Sequence, residues 1–295
     1  MSPEAVEGGV GEGHPHWEAG TLDALGDRRW LVLGGGGLKG LSHVGAWQAL
    51  EEVGVQFEGI LGTSIGALVG ACVAAGMGWA ELVPRAFALK REDIVRINRR
   101  AVWINGIRQE SLFVGEALRD YIDDILPVKR WEELSVPLQV NAVNLETGQT
   151  EWFGVGANTD VSMVDAIYAS AALPVFYPAA RINGGYYVDG GTEHSFALHR
   201  AAELGASGIV GVDVGAGERG HPESVVQQGM LAVHQRIFAI MSWRKRLDLV
   251  NRWTSPPLLF VRPYLEGYQT FDFTATQYFL EEGYRATRAA LMEGL

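Results

Sequence analysis

The 295-residue chain has a single cysteine, Cys72, so no disulfide can form within it. Positive charge is scarce as well: 24 Lys and Arg against 35 Asp and Glu leave a formal net charge of −11. That sign argues against nucleic acid as a partner and leaves only local attraction to anionic lipid. No group of His, Cys, Asp and Glu has metal-ligand spacing, so neither a metal nor a cofactor is expected. A secretory signal is missing too. Residues 1–27 hold Glu, Gly, His and Pro without a basic start or an apolar core. They read as a disordered leader before one domain over 28–295. With 47% hydrophobic residues the chain can bury a large core, and the balance reads as a soluble, cytoplasmic protein.

Long apolar runs are absent with one exception. Residues 59–80 carry no charge and are long enough to cross a bilayer. Five glycines interrupt that run, and it begins like a strand at 57–61. A buried strand, a turn and a helix over 65–75 explain it better, with Gly66, Ala67 and Gly70 letting the helix lie close on a sheet. The turn reads Gly62-Thr63-Ser64-Ile65-Gly66. Gly-x-Ser-x-Gly after a strand is the pattern of a nucleophile elbow, a bend so sharp that the serine hydroxyl projects from the sheet end. The flanking glycines, Gly62 and Gly66, are the residues such a bend tolerates. An idle serine in a glycine-rich turn suits the same five residues, and the motif alone leaves both readings open.

Upstream, a strand at 29–33 runs into Gly34-Gly35-Gly36-Gly37-Leu38-Lys39-Gly40, and a helix follows from about Leu41. A glycine loop at a helix start offers unpaired N–H groups to an anion. A dinucleotide site would want an acidic residue at the end of the next strand, where this chain has Gly62-Thr63-Ser64. A phosphate loop would want Gly-Lys-Ser/Thr, where this chain has Lys39-Gly40-Leu41. An oxyanion hole fits best, with Gly36 and Gly37 donating to an ester oxygen. Downstream, residues 181–191 read as a hairpin around a two-glycine turn, whose returning strand ends in Asp189-Gly190-Gly191. Asp189 is either a solvated turn residue or a general base for Ser64.

The order of glycine loop, Gly-x-Ser-x-Gly and Asp-Gly-Gly resembles the patatin-like phospholipases, particularly their short bacterial members. Residues 169–174 and the tail at 278–284 are similar to further family blocks. The resemblance implies a three-layer α/β sandwich, with a mainly parallel central sheet and helices on both faces. It also implies a Ser–Asp dyad of Ser64 and Asp189, an oxyanion loop of Gly35, Gly36 and Gly37, and a lipid or other ester as substrate. The family loop usually carries arginine where this chain has Lys39. A lysine keeps the charge for an anion contact without the bidentate geometry.

Two alternatives stand beside this reading. His194 and His199 follow Asp189 in the order of a Ser-His-Asp triad, although both have the spacing of ordinary turn and helix residues. A catalytically weak lipid-binding or regulatory protein would keep the same fold. Elsewhere, residues 91–109 suit either a mobile cap or a solvated loop, and Ser111 is placed as the cap of a helix ending at Ile125. Residues 215–223 look like a linker. Residues 230–263 mix an apolar pattern with Arg244-Lys245-Arg246, which suits plain packing, a dimer contact or a helix at a lipid interface. Peripheral membrane contact therefore stays open, and the sequence does not define the oligomeric state.

Overall fold

The computed structural model describes residues 22–98, 110–215 and 222–293. Apolar residues occupy both phases of the central strands, so each strand can bury both of its faces. In β1 (Arg29–Leu33), Leu31 and Leu33 enter one core while Trp30 and Val32 enter another. Ile60 and Leu61 of β2 (Gly59–Gly62) divide in the same way. So do Val210 and Ile209 of β7 (Gly208–Val212).

The larger core is covered by α1 (Ser42–Glu52), α2 (Ile65–Ala74), α3 (Trp79–Ala88), α4 (Arg91–Ile94), α5 (Gly115–Ile125), α6 (Met163–Ala171) and α11 (Thr276–Glu293). The smaller is covered by α8 (Leu198–Glu203) and the C-terminal end of α10 (Met230–Asn251). The remaining strands are β3 (Leu138–Asn144), β4 (Thr150–Gly154), β5 (Ala180–Ile182), β6 (Gly185–Asp189) and β8 (Leu258–Val261), and the short helices are α7 (Gly191–His194) and α9 (Pro222–Gln227). Helices thus lie on both faces of one sheet, the three-layer arrangement expected.

Among the described residues the sheet has eight strands in the order β5-β6-β3-β2-β1-β7-β8, with β4 also on β3. β3, β2, β1, β7 and β8 are parallel to one another, while β4, β6 and β5 attach by antiparallel pairs. The register of β3 matters most for the site. β4 occupies one edge over 139–143, so β2 and β6 must share the other. There Gly62 pairs with Val140 and Asp189 with Ala142. β2 and β6 run in opposite directions and meet end to end.

Several local expectations shift. α5 begins at Gly115 after Val114, and the Ser111 hydroxyl donates instead to Phe113 O at 2.8 Å. The hairpin turn is Asn183-Gly184, with φ 49° and 88°, in place of the two glycines. Positive φ at both central positions is what the strand twist demands of a two-residue hairpin. The 3-10 turn Leu22–Leu25 falls within the expected leader, yet it buries Leu25. Residues 1–21, 99–109 and 216–221, which hold most of that leader and parts of the expected cap and linker, lie outside the described residues. No helix among the described residues is long and apolar enough to cross a membrane; the 59–80 run is β2, the elbow, α2 and the start of α3.

Candidate active site

β2 ends at Gly62, and the chain reverses through Ser64 at φ 56° and ψ −124° before α2 begins. Such a conformation costs a non-glycine residue about 1–3 kcal/mol and persists only where its surroundings enforce it. Here the Ser64 N–H donates to Ser170 Oγ at 2.9 Å, and Thr63 N donates to Leu33 O at 3.1 Å. Thr63 Oγ1 donates to Asn141 Oδ1 at 2.8 Å, and Asn141 Nδ2 donates to His194 O at 2.9 Å. A Cβ on Gly62 would lie 2.6 Å from Gly66 O, and one on Gly66 would strike Leu33 O. The flanking glycines are therefore steric requirements of the bend. Val175, at φ 74°, is a second strained residue, between Pro174 and Phe176 of the same pocket. Its backbone carries no sequence signal.

The end-to-end meeting of β2 and β6 brings Asp189 to Ser64. Asp189 is 3% exposed, and one carboxylate oxygen accepts the Gly191 N–H at 2.7 Å. Burial pushes its pKa up to about 6, against the opposing pull of the Ser64 hydroxyl and the Gly191 amide. The backbone is anchored from α6 and the turn after it, since Gly190 N donates to Ser170 O and Asp189 N to Ala172 O. Ser170 thus holds both the elbow and the aspartate strand. The sequence singled out its block but not its task.

In the glycine loop the three glycines differ. Gly35 N donates to Ser195 O at 3.0 Å, which removes it as an oxyanion donor. Gly36 is extended and Gly37 has φ 62°; among the described residues neither N–H meets a protein acceptor, and both glycines line the pocket with Ser64. Beneath the loop, buried His43 donates from Nε2 to Gly34 O at 2.8 Å; burial pushes its pKa down to about 4, so the ring is neutral. Lys39 lines the same pocket, 7% exposed, with Nζ 3.4 Å from Tyr268 O. Burial brings its pKa down to about 8, Glu266 opposing and Arg246 adding to the shift.

The pocket is a cavity of about 150 Å³. Ser64, Asp189 and the loop form its polar end, and Leu68, Ile94, Leu118, Ile122, Ile167 and Phe176 form apolar walls. α10 closes another side with Phe238, Ser242 and Arg246, none of which the sequence had pointed to as site residues. Arg246 Nε lies 3.1 Å from Asp213 in a buried ion pair, and a second guanidinium nitrogen donates to Ser195 Oγ at 3.3 Å. Because Ser195 O holds Gly35, that pair also sets the glycine loop.

His194 does not line this pocket. Its side chain faces a separate cleft with His199, Lys245 and Asp248, and burial lowers its pKa. His199 packs on Trp253 at 5.3 Å. His234 does reach the Ser64 pocket, from α10. Among the described residues no group of three His, Cys, Asp or Glu could hold a metal.

A serine elbow, a buried aspartate and a glycine loop around one cavity on a doubly covered, mostly parallel sheet define a class. The family model described as patatin-like phospholipase matches residues 31–202, and the chain belongs to that family. An uncharacterized NTE family protein of Mycobacterium bovis is 31% identical over 190 residues, 64% of this chain and 50% of that one. Lysophospholipase NTE1 of Coccidioides immitis is 27% identical over 277 residues, 86% of this chain and 17% of that protein. The chain thus spans half the length of the first relative and a small part of the second. Among solved structures, VipD from Legionella pneumophila aligns with a TM-score of 0.47 and 15% identity, over 90% of this chain and 66% of that one.

Proposed function

We propose that this chain is a lipid acyl hydrolase that works through a Ser64–Asp189 dyad and an acyl-serine intermediate. The observation that carries the reading is a strained serine beside a buried carboxylate at the polar end of an apolar cavity. Asp189 takes the proton from the Ser64 hydroxyl as Ser64 Oγ attacks the acyl carbonyl. The Gly36 and Gly37 amides face the growing oxygen charge, and each such donor is commonly worth about 3 kcal/mol of barrier. The tetrahedral intermediate collapses, the leaving alcohol takes the proton from Asp189, and acyl-Ser64 remains. A water deprotonated by Asp189 then attacks the acyl group, the fatty acid departs, and Ser64 regains its proton.

A cavity of about 150 Å³ with apolar walls suits an acyl chain, and the NTE1 relative's description as a lysophospholipase favours a monoacyl phospholipid as substrate. Lys39, which lines the same cavity and is charged below about pH 8, is assigned the anionic head group. Peripheral contact with a membrane from the cytoplasmic side belongs to this reading.

A fluorophosphonate probe tests it. Intact-mass analysis is expected to show one adduct on the wild type, mapped to Ser64, and none on Ser64→Ala. A label elsewhere, or p-nitrophenyl ester turnover surviving in Ser64→Ala, overturns the assignment.

A further inference from the structure

α10 is turned inside out. Of the three residues it buries, Ser242 and Arg246 are polar and Val250 alone is apolar. Its outward residues include Met230, Ile237 and Met241, which are 81%, 53% and 57% exposed. At about 100° per residue, steps of seven and four bring these three onto one narrow stripe. A surface helix ordinarily turns such a stripe toward the core. Here the inward side lines the cavity, through Phe238, Ser242 and Arg246. His234, exposed and also lining the cavity, stands between Met230 and Ile237 along the helix, so the cavity rim adjoins the apolar stripe.

Charge selects what covers the stripe. From Met230 to Leu247 the helix carries Arg236, Arg244, Lys245 and Arg246 and no acidic residue, on a chain of formal net charge −11. Arg244 and Lys245 are exposed one turn beyond Met241, on either side of the stripe. A twofold contact between copies would pair two helices that each carry these cations and offer no acidic residue over that length. An anionic lipid surface accepts both the methionines and the cations.

We propose that α10 docks the protein on an anionic lipid surface, with Met230, Ile237 and Met241 among the acyl chains and Arg244 and Lys245 at the head groups. The cavity mouth then opens at the layer that holds the substrate; this part rests on the acyl-hydrolase reading, while the docking itself does not.

Vesicle flotation of the full chain tests the docking without using activity. Wild type and Ser64→Ala are expected to float equally with phosphatidylcholine vesicles containing phosphatidylglycerol. The triple variant Met230→Ser, Ile237→Ser, Met241→Ser is expected to lose partitioning at least about tenfold, because its apolar anchors are gone. Its turnover of soluble p-nitrophenyl butyrate is expected to stay at the wild-type level, which also reports an intact fold. Arg244→Glu is expected to weaken flotation on the anionic vesicles and leave that on pure phosphatidylcholine unchanged. Failure of the wild type to float, or equal flotation of the triple variant, overturns the proposal. So does a wild-type dimer by sedimentation that the triple variant turns into a monomer, since a second copy then covers the stripe. If flotation follows expectation while soluble-ester turnover is absent from the wild type, the docking stands and the acyl-hydrolase reading falls.

Discussion

The Ser170 hydroxyl accepts the Ser64 amide at 2.9 Å, and the Ser170 carbonyl accepts Gly190 N at 3.3 Å. One residue of α6 therefore holds both halves of the proposed dyad. Ser170→Ala is expected to leave the Ser64 N–H unpaired in a strained turn, at a stability cost of about 1–3 kcal/mol. The serine then relaxes away from Asp189, so kcat should fall at least about tenfold with KM little changed, since the lost alignment serves the transition state. Steady-state kinetics beside a thermal melt checks this. Wild-type kcat in Ser170→Ala would leave Ser170 with no part in alignment.

Asp189 titrates near 6, above its ordinary value of 3.8. A carboxyl group raised in the folded state adds stability that is complete below the unfolded value and lost as pH climbs through about 6. At pH 7 the charged, buried carboxylate costs on the order of 3 kcal/mol. Asp189→Asn is thus expected to be inactive and yet melt higher than wild type at neutral pH, with the difference shrinking toward pH 4. In the wild type, kcat/KM should rise with pH and reach half its plateau near 6, as the base loses its proton. A profile flat from pH 5 to 7 argues against Asp189 as the base.

The triad alternative places the base on His194, whose side chain lies in the neighbouring cleft. His194→Ala is expected to keep kcat/KM within about threefold of wild type, since a side chain outside the Ser64 pocket is out of reach of the proton to be transferred. Only its carbonyl, which survives the substitution, is tied to Thr63 and Asn141. Loss of several orders of magnitude, with the fold intact by circular dichroism, would restore the triad.

Gly37 has φ 62°, and a Cβ there would sit 2.5 Å from Thr270 O. Gly37→Ala is expected to displace the loop amides and lower kcat by about 10²–10³, the range for loss of an oxyanion donor, with a smaller effect on KM. Calorimetry is expected to show no NAD(P) or ATP binding by wild type or variant. Micromolar nucleotide affinity, with ester turnover untouched by the substitution, would assign the loop to a nucleotide instead.

The elbow and the glycine loop were legible because both are local. A bend that admits no side chain at Gly62 and Gly66 writes its steric demand directly into adjacent residues. The sheet covered on both faces was legible through the family resemblance, and the apolar residues in both phases of β1 and β2 are what lets it be covered so. Other local readings missed by a few residues. Ser111 has the chemistry of a cap, yet its hydroxyl turns to Phe113 O because Leu112 and Phe113 are held by Val175 and Phe176.

Features whose cause lies within one turn or one strand were thus readable along the chain: the bend at Ser64, the glycine loop and, to within one residue of its turn, the hairpin before Asp189. Tertiary structure decided which of these meet. Nothing near Asp189 in the chain says that β6 abuts β2 on one edge of β3; the register of three strands brings it there. Ser195, over 150 positions downstream, takes the Gly35 amide and leaves Gly36 and Gly37 facing the cavity. α10 was the least legible, because its apolar residues lie on every side. Periodicity reveals a buried face only when the opposite face is polar, and here the buried ion pair with Asp213 turned the polar residues inward.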